Sequence, residues 1–426
     1  MPSELRNFLA IPYDELEELN LNVKEQRMKR VPLHKIQEER LEYLSGEKRI
    51  KAVTVLFSDL EGADIFGPGK VLVFGNVIDK NGESYAADIR GVLKGFAEGL
   101  YKKKGYTLNA ANEIEGFLFQ GPDAERRYHE TVKFEYVNTG GYYHSLPGDP
   151  LRTFIDTTAE VQRAMGFQNE KDHPEVAPSQ FEINYNYAEV VAAADHIQLY
   201  KLICRQVANK MGCTASFLPK PVVGVNGSGM HTNVSISKNG KNLFWDPKGE
   251  EMLSKFGWEF LDRILTHGND ICLILNASVN AYRRLDPHFE APNQLKASPV
   301  DRGSMIRIPI GNERSMRVEV RSVAPDANPY MVMLSIFKTG LEGETAKIKN
   351  LRQAQRYLPD NIYDAMANFR KADWTTKLLG ADVKGRYADL KQASADRCPR
   401  LLGTFVKAPE VQYHHDVYNQ FLWNLF

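Results

Sequence analysis

Apolar and polar positions recur with two different periods along this chain, and the change of period divides it. Up to about residue 50 the chain is charge-rich with helical spacing, as in "LHKIQEERLEYL", which predicts a surface helix. Alternation follows: "AVTVLFSDLEG" reads as a strand ending in an acidic turn, and "GKVLVFGNVIDKNG" as a second strand finishing on Asn-Gly, which suits a tight hairpin turn. Together these predict a small β domain. From Tyr85 the spacing turns helical: "YAADIRGVLKGFAEGLYKKKG" is amphipathic and closes on basic residues and Gly105, as a helix C-terminus prefers. Further helices are predicted over about 188–212, as a pair within "EEMLSKFGWEFLDRILTHGNDICLILNASVNAYRRL", and in "NPYMVMLSIFKTGLEG", and the tail after Pro359 reads as helical throughout. No internal repeat or low-complexity linker interrupts the chain. The expected division is therefore a small unit over 1–86 and one continuous larger unit over 87–426.

The strands of the larger unit carry one charged face each. In "NEIEGFLF", Glu113 and Glu115 are two residues apart and project from the same side of a strand, opposite Ile114 and Leu118. Two adjacent carboxylates repel, so either that face is solvated or a cation sits between them. The same alternation sets Glu182, Asn184 and Asn186 opposite Phe181, Ile183 and Tyr185, with Glu175 just upstream. In "RVEVR" it sets Arg317, Glu319 and Arg321 opposite Val318 and Val320. In "VNGSGMHTNVSI", His231, Asn233 and Ser235 share a side opposite Met230, Thr232 and Val234. Several strands rich in Glu, His and Arg suggest a sheet whose polar side lines a cavity. The "NGSG" stretch lacks the Gly-Lys-Ser/Thr ending of a P-loop, and an alternating strand rather than a helix follows it, so it reads as a turn feeding a strand. Its glycines permit left-handed backbone or close approach of another group.

Bulk properties narrow the class. Lys plus Arg equals Asp plus Glu at 54 each, and no run of like charge stands out, so neither nucleic acid nor an anionic membrane is an expected partner. No stretch approaches the roughly 18 unbroken apolar residues of a membrane helix, and the opening residues lack a secretion-signal layout, so a cytoplasmic location is expected. Cys204, Cys213, Cys272 and Cys398 lie far apart with no CxxC pair and read as reduced, mostly buried thiols.

The stretch "KPVVGVNGSGMHTNVSI" resembles the central signature of glutamine synthetases, and the other polar-faced strands fall in that family's order. The likeness runs from about Val53 onward through "EIEGFLF", "GGYY", "HPEVAPSQFEI", "NAYRRLDPHFEAP", "DRGSMIRIP" and "RVEVRSVAPDANPY". It implies an α+β fold: a small N-terminal β-grasp-like domain, here shortened and with a helical extension, and a catalytic domain whose antiparallel sheet forms a funnel wrapped by helices. ATP would enter at one end and glutamate at the other, with two Mg²⁺ or Mn²⁺ ions at the waist. By the resemblance, Glu115, Glu175 and Glu182 hold the first ion and Glu113, His231 and Glu319 the second, a hard-oxygen set with one imidazole. Arg302, Arg307 and Arg317 are implied at the ATP phosphates, where guanidinium can bind oxygens through paired hydrogen bonds. Asn233 and Ser235 are implied near the nucleotide, and Asn226, Gly227, Arg284, Glu290 and Arg321 at glutamate. Arg302, Glu290 and Arg284 would act in the reaction itself. The implied reaction makes γ-glutamyl phosphate, which an amine converts to an amide; ammonia and glutamine are the leading pair. Two stacked hexameric rings are the implied assembly.

The chain departs from the family pattern in three places. Gly62 runs directly into Ala63, where the family carries a few tens of residues with an Asp-Gly-Ser-Ser loop that reaches the neighbouring subunit and helps bind ammonium. Asn233 stands where many members have histidine. The tail has no Asn-Leu-Tyr-Asp-Leu-Pro segment, and Tyr363 is no substitute, so tyrosine adenylylation is not expected. The first departure leaves open a γ-glutamyl ligase for another amine, such as methylamine, ethanolamine or a polyamine. A non-catalytic member is opposed by the six retained ligands, and a guanidino kinase by "NGSGMH" and "FEAP".

Overall fold

The structure, a computed structural model, describes residues 10–12, 31–32, 50–57, 70–79, 81–131, 133–142, 144, 146–285, 291–354 and 356–402. The helix expected at "LHKIQEERLEYL", the Gly62–Ala63 junction, Glu290 and the tail beyond 402 lie outside the described residues.

Strands β1 (Ala10–Pro12), β2 (Val31–Pro32), β3 (Ile50–Phe57) and β4 (Lys70–Val77) form one sheet in the order β1-β4-β3-β2. β3 and β4 are the two strands expected from alternation, and they pair antiparallel with Val55 opposite Val73. Beyond β4 the chain reverses at Asn81-Gly82. Gly82 has φ +81°, its N–H donates to the Asp79 carbonyl at 3.0 Å, and Ile78 pairs with Ser84. Glycine takes this left-handed backbone without steric cost.

Ten further strands build the sheet that carries the polar faces. They are β5 (Tyr106–Gln120), β6 (Asn169–Pro174), β7 (Gln180–Tyr185), β8 (Ala188–Glu189), β9 (Cys213–Ser216), β10 (Met230–Lys238), β11 (Lys241–Asn242), β12 (Gln294–Ser298), β13 (Ser304–Arg307) and β14 (Val318–Val320). Their order is β12-β13-β14-β10-β5-β7-β6, with β8 and β9 also on β5 and β11 on β10. The sheet is antiparallel, as expected, except that β12 and β13 run parallel.

Alternation sends Ile114 and Leu118 of β5, Phe181 and Ile183 of β7, Met230 and Val234 of β10, and Val318 and Val320 of β14 into one apolar core. Helices at Val190–Lys210, Lys255–Thr266, Gly268–Leu275 and Pro329–Glu342 supply the other side of that core. The last begins where Asn328 accepts hydrogen bonds from the Tyr330 and Met331 amides and Pro329 occupies the first turn, a combination that needs no backbone donor there. Tyr200 ties helix to sheet by donating to the Ile114 carbonyl at 3.0 Å. The helix expected from Tyr85 runs over Ile89–Lys104 and stops at Gly105, φ +71°. Arg90 on this helix donates to both Asp195 oxygens at 2.9 and 2.8 Å and to Asn76 of β4 at 2.5 Å, while Tyr330 donates to Asp195 at 2.8 Å.

Two helices are absent from the periodicity reading, Ala124–Thr131 and Pro150–Ala164. The second has a local signal in Asp149-Pro150: the Asp149 side chain accepts from the Leu151 amide at 2.9 Å. The tail expected to be helical throughout is three helices, Ile362–Lys371, Asp373–Leu379 and Ala381–Leu402, broken at Ala372 and at Gly380 with φ +78°. Cys204 and Cys272 are buried free thiols and Cys213 a half-buried one. Among the described residues no helix is long and apolar enough to cross a membrane.

Candidate active site

Register, rather than proximity in sequence, assembles the polar face. His231 of β10 lies opposite Glu113 of β5, and Asn233 opposite Glu319 of β14, which is itself opposite Arg307 of β13. On the other edge of β5, Glu115 lies opposite Glu182 of β7, and Glu182 opposite His173 of β6. Side chains paired across antiparallel strands share a face. Two compact groups result, Glu113 with His231 and Glu319, and His173 with Glu175 and Glu182; in each, the potential ligand atoms lie within 4.8 Å of one another.

This face lines two adjoining cavities, so the solvated-face account of Glu113 and Glu115 does not hold. The central one, about 200 Å³, is bordered by Glu113, Glu115, Glu175, Glu182, His231, Asn226, Gly227, Arg284, Arg302, Arg307 and Arg321. The second, about 370 Å³, is bordered by Asn233, Ser235, Arg307 and Arg317 together with Tyr185 and Tyr187. Glu113, Lys171 and Arg307 border both. The residues implied for glutamate thus gather at the first cavity, Glu290 excepted. Of those implied for the nucleotide, Asn233, Ser235, Arg307 and Arg317 gather at the second, whereas Arg302 borders only the first.

The "NGSG" turn works by close approach. A Cβ on Gly227 would stand 2.4 Å from the Pro219 carbonyl oxygen and 3.1 Å from Cγ of Arg284, and one on Gly229 would stand 2.5 Å from Nη2 of Arg284 and 2.8 Å from Nε2 of His231. Neither has a left-handed φ. The Gly229 amide donates to Glu115 at 2.6 Å, and Gln180 donates to the Gly227 carbonyl at 3.0 Å. Arg284 is buried under this turn and donates to the Arg321 and Val323 carbonyls at 3.0 and 3.3 Å.

Charge is arranged around the two groups. Glu319 is fully buried; its oxygens lie 2.5 Å from Nε of Arg307 and 2.7 Å from Nη1 of Arg321. Asn233 donates to Glu113 at 3.0 Å and accepts from Nε of Arg317 at 2.9 Å, joining the two cavities' residues. Burial and the nearby Arg321 guanidinium push the His231 ring below its ordinary pKa, which keeps it a neutral potential ligand. Burial, reinforced by Glu175 and Glu182, pushes Glu115 well above the usual carboxylate range. Glu175 is raised by burial and by Glu182. Glu182 is held down in spite of its burial by His173, whose Nε2 lies 3.5 Å away. Burial pushes Arg284 down to about 10, against the pull of Glu115.

The grouping differs from the implied one in one respect. Glu115 stands beside the second group rather than in it, because its carboxylate is turned onto the Gly229 amide, and His173 takes a place that sequence reasoning did not give it. The signal was present: His173 is two residues before Glu175. Tyr142 was also passed over. It donates to Glu175 at 2.9 Å and stacks on His173 with ring centroids 5.5 Å apart.

The model of the glutamine synthetase catalytic domain matches residues 86–402. The chain belongs to the glutamine synthetase family. A glutamine synthetase of Staphylococcus aureus strain MRSA252 is 35% identical over 366 residues, 80% of each chain, and one of Clostridium saccharobutylicum is 34% identical over 337 residues, 75% of each. Among solved structures, a Plasmodium falciparum glutamine synthetase superimposes with TM-score 0.69 at 20% identity over 85% of this chain and 86% of that one. A GmaS/ADP complex superimposes with TM-score 0.68 at 23% identity over 85% of each. These two show the shared fold, a large sheet with packed helices, and family membership makes the chain a glutamine synthetase-type ligase.

Proposed function

We propose that this chain is a glutamate–ammonia ligase, forming glutamine with ATP through γ-glutamyl phosphate. The observation that carries the reading is a pair of adjoining cavities where two carboxylate-rich groups meet Arg284, Arg302, Arg307, Arg317 and Arg321. In the first step a γ-carboxylate oxygen of glutamate attacks the γ-phosphorus of ATP, and the bond to the β,γ-bridging oxygen breaks with its electrons leaving on ADP. In the second, ammonia attacks the acyl carbon, loses a proton, and inorganic phosphate departs.

The residues fit divalent cations. Glu319 and Glu113 are brought together with a neutral imidazole, and Glu115, Glu175 and Glu182 crowd one another, an arrangement of hard oxygen donors whose repulsion a cation relieves. Glu113, His231 and Glu319 would hold one ion, and Glu175 and Glu182, with Glu115 or His173, the other. Mg²⁺ or Mn²⁺ would supply positive charge to the phosphate oxygens. Arg307 and Arg317 would orient ATP in the larger cavity beside Asn233 and Ser235. Arg302 would face the transferred group, and Arg284 and Arg321 would clamp the amino acid with Asn226, Gly227 and Glu290. Positive charge fixed in place before reaction stabilises charge that develops in the transition state.

The finer organisation belongs to the same proposal: a division at about residue 86 with a β-grasp-like first domain, stacked hexameric rings, and a cytoplasmic location. The deciding experiment supplies purified protein with ATP, Mg²⁺ or Mn²⁺ and glutamate, and follows phosphate release with ammonium, methylamine, ethanolamine or a polyamine. Ammonium is expected to be preferred. Preference for an alkylamine would replace ammonia in the reading, and silence with every amine would overturn it.

A further inference from the structure

Glu113, Arg307 and Lys171 are the residues common to both cavities. Two of them are committed: Glu113 belongs to a ligand group and accepts from Asn233, and Arg307 is drawn to 2.5 Å from Glu319. Lys171 is different. It sits on β6 two residues before His173, where the β6–β7 register is irregular between Asn169 and Asp172, and it borders both cavities while Asp172 pairs with Arg152 at 2.5 Å. Its ammonium is 3.9 Å from a Glu182 oxygen, too far for a direct hydrogen bond, and its side chain is 59% exposed in the cavity mouth. A lysine so placed is a point charge on a flexible stem that can move onto an incoming oxygen.

The position follows from the proposed reaction, on which this inference rests. The nucleotide would occupy the larger cavity and glutamate the central one, so the γ-phosphoryl group must cross the boundary that Lys171 borders. We infer that Lys171 is a catalytic residue that binds the phosphoryl group in transit, donating to an oxygen that remains on phosphorus throughout. It forms and breaks no covalent bond and keeps its proton, so the balance of the two steps is unaltered.

The test compares wild type, Lys171→Met and Lys171→Arg as full chains, with thermal melting and particle size measured to show that each folds. Wild-type turnover with glutamate and an amine is established first. In Lys171→Met, kcat is expected to fall on the order of 100-fold, as for loss of one preorganised donor to a developing charge. The glutamate KM should hold. Affinity for the β,γ-imido analogue of ATP should fall about tenfold, the scale of one hydrogen bond to a charged group, while ADP affinity stays unchanged. Lys171→Arg should recover part of both losses. A merely structural lysine would not separate the triphosphate from the diphosphate. An active wild type with an equally active Lys171→Met, or equal loss of both nucleotides, overturns the role of Lys171 alone. A wild type silent with every amine overturns the ligase reading and this inference with it.

Discussion

Glu319 has no solvent contact and two guanidinium groups within 2.7 Å, so its charge is compensated before any ion arrives. Glu319→Ala would leave Arg307 and Arg321 facing an apolar gap, and breaking a buried pair in this way costs about 3–5 kcal/mol. Urea unfolding should show that loss, and steady-state kinetics should show phosphoryl transfer depressed far more than glutamate binding. Turnover equal to wild type would remove Glu319 from the ligand set. The alternating pattern in "RVEVR" placed Glu319 on the polar face, and the same rule placed Glu113 and His231. Its partner Arg307 was implied at the ATP phosphates by the resemblance, but its contact with Glu319 was not legible, because that partner comes from a strand 12 residues later. His173 went unread for a different reason: the resemblance directed attention to Glu175, and the ring's approach to Glu182 depends on the β6–β7 register, which no local pattern encodes.

At the scale of elements, long periodic segments were legible and short or capped ones were not. The Val190–Lys210 and Pro329–Glu342 helices follow from apolar spacing, whereas Pro150–Ala164 is announced mainly by Asp149-Pro150. The parallel pairing of β12 with β13 was invisible, since alternation is the same for either direction. One side chain joins three elements: Arg90, in the first turn of the Ile89–Lys104 helix, binds that helix to Asp195 of the Val190–Lys210 helix and to Asn76 of β4. Arg90→Met should cost about 3–5 kcal/mol, because Asp195 then stays buried with no cation beside it and keeps only the Tyr330 hydroxyl. Chemical denaturation measures it. The KM for glutamate and for ATP should not move, as Arg90 borders neither cavity of the candidate site.

For the whole molecule, the crowded carboxylates make stability depend on pH and on cations together. Glu115 is raised by burial, then by Glu175 and Glu182, so the folded chain holds its proton more tightly than the unfolded one. Such a group contributes stability below its unfolded pKa, roughly 4.3, and loses it as pH rises towards the folded value. The melting temperature of cation-free protein is therefore expected to fall as pH rises above the ordinary carboxylate range. Saturating Mg²⁺ should flatten that slope, because an ion favours the ionised form. A slope that is the same with and without Mg²⁺ would count against a cation at this group.

β5 carries Glu113 and Glu115, one toward each group, with His231 paired along one edge and Glu182 along the other. The strand repeat sets those two carboxylates roughly 7 Å apart at the backbone, and it does so as a fixed ruler. Inserting a single residue between them would turn one carboxylate into the apolar core. The spacing of the two centres is thus written into one stretch of extended chain, and neither can be retuned without disturbing the other.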